Sequence, residues 1–451
     1  MNSELRYKGM EAHKKVFFLG IGGISMSTLA FMASERGIEV TGSDQRASDM
    51  TGRLEAAGIT VHIGHAASNL GDADALVYTA AVKEDNPEFA AARERGIPCI
   101  RRADYLGWLM SAYPVRIGIA GMHGKSTATS MVSHIYLAAD LDPTIAVGAE
   151  LSAIGGAYRC GKGDSFLFEA CEYTDSFLSF CPTTAVVLNI DMDHPDYFAD
   201  LDQIKSSFRR YLALAECAVV NFDDANIREI VQDYKGRLIT VGASGEFSAA
   251  NFTWESGFAR FDILRGDEVC IPDIKLSVPG AHNVTDALCA AAAAYVNGVA
   301  PEAIAKGLAD FRGAHRRFEY RGMVKGARLY DDYAHHPTEI RATLKAAKSA
   351  AEGRVICIFQ PHTYSRTAEL FEDFAEALTG CDRAVLVDIY AAREVNTYGV
   401  SSAQLAEAIP GAIYCDSFAS AANTVKAMAE QGDLIFTMGA GDVYKIGDMM
   451  L

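Results

Sequence analysis

The run Arg116–Val132, "RIGIAGMHGKSTATSMV", restricts the fold more than any other stretch of the chain. An apolar strand, Val115–Ala120, has to end in a glycine loop, and the loop has to open a helix rich in Thr, Ala and Met. Such a loop lets backbone N–H groups approach an anion, and the helix N-terminus behind it adds positive potential. The sequence departs from the strict G-x-x-x-x-G-K-[ST] pattern. Ile119 stands where the first glycine is expected, and Gly121-Met122-His123-Gly124-Lys125-Ser126 follows, then Thr127. The physical requirement is still met: Lys125 has the reach for the β- and γ-phosphates, and the Ser126 hydroxyl suits Mg2+. His123 is open to packing or capping as well as to ligand contact. A phosphate loop usually opens the first strand–helix unit of a protein. Here over a hundred residues precede it.

A chain of 451 residues is long for one core, so about two or three domains are expected. The residues ahead of the loop read as a unit of their own. In "KVFFLGIGGISMSTLAFMASERGIEVTGSD", Val16–Leu19 has the length and apolarity of a buried parallel strand. Gly20, Gly22 and Gly23 make a turn, and Met26–Arg36 suits a helix closed by Gly37. Ile38–Thr41 suits a second strand ending at Gly42-Ser43-Asp44, and Leu76–Thr79 a later one. The glycines fit the dinucleotide fingerprint imperfectly, because the third glycine position is Ser25. Asp44 lies at about the distance where an acid holds a ribose hydroxyl. The same pattern is open to a tight strand–helix turn with no ligand.

A helix in "RRADYLGWLMSAYP" and its proline place a first boundary near Tyr113. The strands "SFLFEA", "TAVVLNI", "CAVVNF" and "LITVG" and the long helix "PGAHNVTDALCAAAAAYVNG" follow the loop. A third block begins near Glu319, so the expected units are 1–113, 114–318 and 319–451. In it, "ARLYDDYAHHPTEIRATLKAAKSA" and "RVICIFQPHTYSRTAELFEDFAEAL" each run strand, loop, helix. This alternation predicts an α/β protein with parallel sheets, whose ligands lie beyond the C-terminal ends of the strands.

Charge and composition remove several classes. A net charge of −17 argues against nucleic acid as a partner, so anionic substrates would need Lys and Arg gathered locally. No apolar run reaches the roughly 18 residues of a membrane span, and the first residues lack a signal-peptide core. Ten scattered cysteines without C-x-x-C point to reduced thiols in cytoplasm rather than to zinc or disulfides.

Two acidic clusters follow strands of the middle block. "LFEACEYTDSF" carries Glu169 and Glu172; "LNIDMDHPDYF" carries Asp191, Asp193, His194 and Asp196. A phosphate loop needs a carboxylate to complete a Mg2+ shell, and a hard cation favours Asp191 or Asp193 over His194. In the third block, His335, His336, His362 and Arg366 stand at strand ends. One histidine of a pair ahead of a helix often serves as a cap partner, and Arg366 suits a carboxylate or phosphate.

"FLGIGGISMSTLA", "GMHGKST", "EACEYTDSFL", "NIDMDHPDYF", "PGAHN", "DDYAHHPTEI", "FQPHTYSRT" and "GAGDVYKI" occur in this order across almost the whole chain. Together they resemble the Mur ligases of peptidoglycan synthesis, most closely those that join L-alanine to UDP-N-acetylmuramate. The resemblance implies three domains: an N-terminal Rossmann-like domain for the UDP-sugar, a central P-loop ATPase with a mostly parallel sheet, and a C-terminal Rossmann-like domain for the amino acid. It thereby gives the residues ahead of the phosphate loop a task. It implies ATP as a substrate, Mg2+ as cofactor (two ions), and a cytoplasmic monomer or weak homodimer.

Carried over position by position, the resemblance assigns Gly121, Met122, His123, Gly124, Lys125, Ser126, Thr127, Asn283, Arg316 and Asp332 to ATP. Ser126, Glu172 and His194 would hold metal. Gly22, Gly23, Ser25, Asp44, His65 and His335 would meet the UDP-sugar. His362 and Arg366 would receive the amino-acid carboxylate, and Lys125, Glu172, His194, His336 and Arg366 would serve the reaction itself. The chain differs from the family's usual pattern at Ser25, at Cys171-Glu172-Tyr173, at Asp286 and at Thr363.

Three rivals remain. A ligase adding a tripeptide to the same sugar nucleotide shares these motifs, although the spacing in "GIGGISMS" favours the alanine-adding type. A dehydrogenase built on Gly20–Ser25 leaves the phosphate loop unexplained. The acidic clusters count against the dehydrogenase too, and a nucleotide-binding regulatory module without synthetic chemistry is set apart by whether ATP hydrolysis depends on a UDP-sugar.

Overall fold

The computed structural model describes residues 7, 9–79, 82–194, 197–255, 258–392 and 394–451; Asp196 lies outside them. Its strands form three successive sheets. The first contains β1 (Lys15–Leu19), β2 (Glu39–Asp44), β3 (Thr60–Ile63), β4 (Ala75–Tyr78) and β5 (Cys99–Arg101), all parallel, in the order β3-β2-β1-β4-β5. The order reverses between β1 and β4, and a ligand crevice opens at such a switch point. Helix α1 (Ile24–Glu35) starts two residues earlier than its apolar pattern indicates, at the N-cap Gly23. β2 continues through Gly42-Ser43-Asp44 instead of ending there. Gly42 permits this because a Cβ at that position would strike Ile21 and the Phe18 carbonyl.

The central sheet is built on β6 (Val115–Ala120), β7 (Thr144–Leu151), β8 (Gly156–Arg159), β9 (Ser165–Glu169), β10 (Thr184–Val187), β11 (Cys217–Asn221), β12 (Arg237–Val241), β13 (Phe247–Glu255), β14 (Phe258–Arg265) and β15 (Glu268–Pro279). Its order is β15-β14-β13-β12-β11-β10-β6-β9-β7-β8. The middle of the sheet is parallel, but β13, β14 and β15 form an antiparallel meander, and β8 runs antiparallel to β7. The central sheet is thus mostly parallel, as expected, with its antiparallel strands at the two edges. Helix α2 (Lys125–Ala138) leaves the end of β6 through the glycine loop. It packs against α3 (Ala281–Val296) and α4 (Pro301–Asp310). The Ala-rich body of α3 is buried almost without break, and Gly307 of α4 lies flat on the backbone of Ile135.

The third sheet holds β16 (Glu319–Val324), β17 (Ala327–Asp332), β18 (Val355–Phe359), β19 (Arg383–Leu386), β20 (Ile413–Tyr414) and β21 (Leu434–Met438), ordered β16-β17-β21-β18-β19-β20. Among the described residues only the β16–β17 pair of this sheet is antiparallel. α5 (Pro337–Ala350) follows β17, and α6 (Tyr364–Glu369) follows β18.

The two junctions between units differ in kind. One apolar cluster runs from the first unit into the central one, joining α1 and the Arg102–Ser111 helix to Phe177, Phe180 and Tyr211. Phe31 stacks on Tyr158 across this junction at 4.9 Å, an arrangement worth about 0.5–1.5 kcal/mol beyond burial. The third unit's two apolar clusters stay within it. Polar contacts fasten it to the central unit: Arg366 Nη2 donates to Asp193 Oδ1 at 3.0 Å and Thr338 Oγ1 to Asp191 Oδ2 at 2.9 Å.

Candidate functional site

The glycine loop is held rigidly. Gly121 and Gly124 have φ of 151° and 82°, which other residues adopt only with strain. Asn189, in the loop after β10, accepts the His123 N–H at 2.8 Å and donates to the His123 carbonyl at 2.9 Å. Lys125 Nζ folds back to the carbonyls of Gly121 and Met122 at 2.6 and 3.1 Å and lies 3.0 Å from Glu172 Oε2. Burial opposes the lysine's charge, but Glu172 outweighs it and holds Lys125 above the usual lysine range. Glu172 is only 1% exposed. Burial disfavours its charge too, yet Lys125 and His194 keep it below the usual carboxylate range.

These residues form a compact donor set at the end of β6 and β9. Ser126 Oγ donates to Glu169 Oε2 at 2.8 Å, and Gly148 N–H donates to the same oxygen. His194 Nε2 lies 3.1 Å from Glu172 Oε1, while Glu172 Oε2 is buried without a hydrogen bond. Two carboxylates, a hydroxyl and one imidazole are groups that a hard divalent cation such as Mg2+ accepts, and here the Lys125 ammonium pairs with Glu172. His194, with φ of 55°, lies beside Glu172, whereas hard-cation preference favoured Asp191 or Asp193. Those two turn instead toward Thr338 and Arg366. Cys171, beside Glu172, is pushed up to about 12 by burial and then by that carboxylate, so it stays a thiol.

A cavity of about 300 Å³ adjoins one side of the loop, lined by His123, Gly124, Thr127, Asn189, His282, Asn283, Asp286, Arg317, Asp332 and Glu339 among others. Asp332 accepts the N–H groups of Phe318 and Ala334 at 2.9 and 2.7 Å, and burial raises it to about 6. His336 caps α5, its Nδ1 accepting the Thr338 N–H at 3.3 Å. That bond leaves the ring proton on Nε2. His123, Asp191 and His336 bring one ligating atom each within 4.8 Å of one another, but a protonated Nε2 makes His336 a donor there rather than a metal ligand. Burial opposes the charge of His123, yet Asp191 and Glu339 raise it to about 9.

A larger cavity, about 970 Å³, lies between the first and central units. Gly20, Gly23, Ser25 and Asp44 line one side; Gly148, Glu169, Cys171 and Tyr173 line the other. Asp44 Oδ2 accepts the Gly22 N–H at 2.9 Å, and a Cβ on Gly22 would meet that same oxygen. Arg101 and Arg102 also line the cavity. Arg101 pairs with Asp104 at 2.8 Å, and burial lowers Arg102. His65 is not on this wall: Nδ1 lies 2.8 Å from the fully buried Glu88 and 3.1 Å from Ser43 Oγ.

In the third unit Arg366 reaches His362 Nδ1 at 3.3 Å as well as Asp193. His362 stacks on Tyr390 at 5.6 Å, and burial, then Arg366, lowers it to about 4. Thr363 sits at φ 67°, a strained conformation for a β-branched residue. His335 is brought to this group, not to the larger cavity. Its Nδ1 lies 3.0 Å from the Tyr333 carbonyl, its ring 5.8 Å from His362.

Arg316 corrects the sequence reading. Its guanidinium donates to Asp331 and to the carbonyls of Gly441 and Gly439 at 2.7, 2.9 and 2.6 Å and is sandwiched between Tyr333 and Tyr444. With its donors spent inside the third unit, it does not line the smaller cavity; the adjacent Arg317 does. The doubled arginine in "AHRRF" was the available signal. Asn189 and Arg102 were not singled out by the sequence, although each lies in a quoted motif; Glu169 was, as one of the acidic cluster.

Comparison with known proteins follows this geometry. Residues 15–114 match the model described as Mur ligase family, catalytic domain; 119–294 match the Mur ligase middle domain; 316–441 match the Mur ligase, glutamate ligase domain. The UDP-N-acetylmuramate–L-alanine ligase of Acetivibrio thermocellus is 47% identical over 449 residues, covering 97% of this chain and 96% of the relative. That of Clostridium acetobutylicum is 45% identical over 447 residues, covering 97% of each. Among solved structures, the UDP-N-acetylmuramate–alanine ligase of Thermotoga maritima superposes with a TM-score of 0.81 at 26% identity, over 97% of this chain and 98% of that one. A murein peptide ligase from Psychrobacter arcticus shares the fold, with a TM-score of 0.71 at 23% identity over 97% and 98% of the two chains. With three matched models in order and nearly half of all positions identical along almost the full length, the chain belongs to the Mur ligase family.

Proposed function

We propose that the protein joins L-alanine to the carboxylate of UDP-N-acetylmuramate at the expense of ATP, the first amino-acid addition to a peptidoglycan precursor. The observation that carries this reading is the position of the glycine loop between two cavities. His123 and Gly124 face the smaller one, while Glu169 and Cys171, beside Ser126 and Glu172, face the larger. A nucleotide in the first cavity and a sugar nucleotide in the second would meet at Lys125. Units 1–113, 114–318 and 319–451 would then serve the UDP-sugar, ATP and the amino acid respectively.

The muramate carboxylate oxygen bonds to the γ-phosphorus as the bond to ADP breaks, giving an acyl phosphate. The alanine amine then attacks the acyl carbon and phosphate leaves. Lys125 stabilises charge on the transferred phosphoryl group. Ser126, Glu169, Glu172 and His194 would hold Mg2+, two ions in our reading, which when bound supplies positive charge where the phosphoryl oxygens gather it. Arg102 is a cation suited to the diphosphate, and Arg366 with His362 to the alanine carboxylate. Closure of the third unit keeps water from the acyl phosphate. We place the activity in the cytoplasm, where ten free cysteines stay reduced. No helix among the described residues is long and apolar enough to cross a membrane.

Phosphate release from ATP tests the reading, with UDP-N-acetylmuramate and L-alanine, glycine, L-serine or the alanyl-glutamyl-diamino-acid tripeptide as acceptor. Release that needs both the sugar nucleotide and L-alanine, with the amide identified by mass, is the expected result. Dependence on the tripeptide instead would make the protein a recycling ligase, and release indifferent to every acceptor would overturn the synthetic reading.

A further inference from the structure

We infer that Glu339 is a positioning residue of the nucleotide site: through the His123 imidazole it ties the phosphate loop of the central unit to the first turn of α5 in the third. The inference rests on ATP being the nucleotide of the smaller cavity, which Glu339 lines. Glu339 is the third residue of α5 and completes its capping box. Its Oε2 accepts the N–H groups of His335 and His336 at 3.0 and 3.3 Å. Its Oε1 takes no part in the cap. That oxygen lies 3.4 Å from His123 Nδ1 and 3.7 Å from Arg317 Nη1, and the side chain is 11% exposed.

A cap explains the first oxygen and not the second. Gln completes a capping box as Glu does, so the helix has no need of a charge here. The charge is nonetheless kept beside a cavity suited to a polyphosphate, which would repel it unless cations answered it. His123 and Arg317 are those cations. Burial opposes the charge of His123, but Asp191 and Glu339 raise it to about 9. On the far side of the imidazole, Nε2 lies 3.8 Å from Asp191 Oδ2, the oxygen that accepts the Thr338 hydroxyl. His123 and Asp191 of the central unit thus alternate with Thr338 and Glu339, consecutive residues of α5.

The tie bears on the loop because His123 has no slack. Asn189 holds both its N–H and its carbonyl, and the ring of His336 stands 4.8 Å from its own. Lys125 follows in the same loop and folds back on the carbonyls of Gly121 and Met122. With the third unit docked, the imidazole is held from both sides, and the loop is held with it. Such placement counts in the transition state, where a shift of about 1 Å costs up to about a hundredfold in rate. Glu339 acts through His123 rather than on the reacting atoms.

The test is a cycle of Glu339→Gln, His123→Gln and the double variant in the full chain, with Glu339→Ala beside it. A carboxamide oxygen accepts the same N–H groups, so Glu339→Gln keeps the cap and removes only the charge that faces His123. Its kcat for phosphate release is expected to fall about ten- to a hundredfold, with KM for ATP changed less than about twofold. His123→Gln should lose as much, and the double variant no more than either. The nitrogen NMR resonance of His123 Nδ1, assigned by its loss in His123→Gln, should shift in Glu339→Gln. Wild-type kcat in Glu339→Gln, with only a lower melting temperature in Glu339→Ala, would reduce Glu339 to a helix cap and overturn the inference. Losses that multiply in the double variant would overturn it too. If no acceptor supported turnover in the wild type, the activity reading would fall, and the His123 resonance, shifted or unmoved, would still decide the tie.

Discussion

Replacing Arg366 by Met should loosen the third unit without unfolding it. The guanidinium and the Asp193 carboxylate are 9% and 6% exposed, and breaking a buried pair from one side costs about 3–5 kcal/mol. The lower end applies, because Asp193 Oδ1 keeps the His194 N–H at 2.7 Å. Arg366 Nε is itself buried without a partner, and its removal returns about 1 kcal/mol. The balance is about 2 kcal/mol, a roughly thirtyfold shift toward the open state. Small-angle X-ray scattering without substrates, which follows the separation of the third unit from the other two, reads this opening. Asp193→Asn and the double variant complete a cycle, in which the pair should couple by about 1 kcal/mol or more. Single effects that add to within about 0.5 kcal/mol would refute the latch.

Lys125→Ala should lower turnover at least about a hundredfold with unit folding intact by circular dichroism; near-normal phosphate release would remove the lysine from the reaction. Glu172→Gln should raise the Mg2+ concentration needed for half-maximal rate, and an unchanged magnesium titration would sink that assignment. Gly307→Ala forces a Cβ into the Ile135 backbone and should destabilise the central unit by about 1–3 kcal/mol in urea. Asp286, raised by burial to about 8, binds a proton in the folded state that it loses on unfolding. Its favourable term is complete below the ordinary carboxylate range and is lost as pH rises toward and through about 8. Asp286→Asn should flatten stability across that window, and parallel pH profiles for the two proteins would mean that the group is ionised when folded.

The sequence made the strands of the sheet centres legible because each is a short apolar run, as Val115–Ala120 and Val355–Phe359 illustrate. The meander of β13 to β15 was not, since its residues alternate between buried and exposed and no helix separates its strands. Motif order located Lys125, Ser126, Glu172 and His194, which the fold gathers into one cluster. It could not reveal that Arg366 meets Asp193, 173 positions away. Nor could it tell which of Arg316 and Arg317 points inward, because that depends on Asp331 and on two tyrosines from other parts of the chain. His336 shows a third limit: the residue pattern allowed both a helix cap and a ligand contact, and the cap occupies only one of its two ring nitrogens.

The unlike junctions between units bear on the sequence in which molecules arrive. The walls around the larger cavity belong to two units welded by a shared apolar core, so a sugar nucleotide bound there, as we propose, would find its berth already shaped. The residues suited to an amino acid lie across a seam stitched by a few polar contacts, and their berth is finished only when that seam shuts. An amino acid that came first would find half a socket. On the proposed assignment of the two berths, the chain would favour a queue in which the small acceptor enters last.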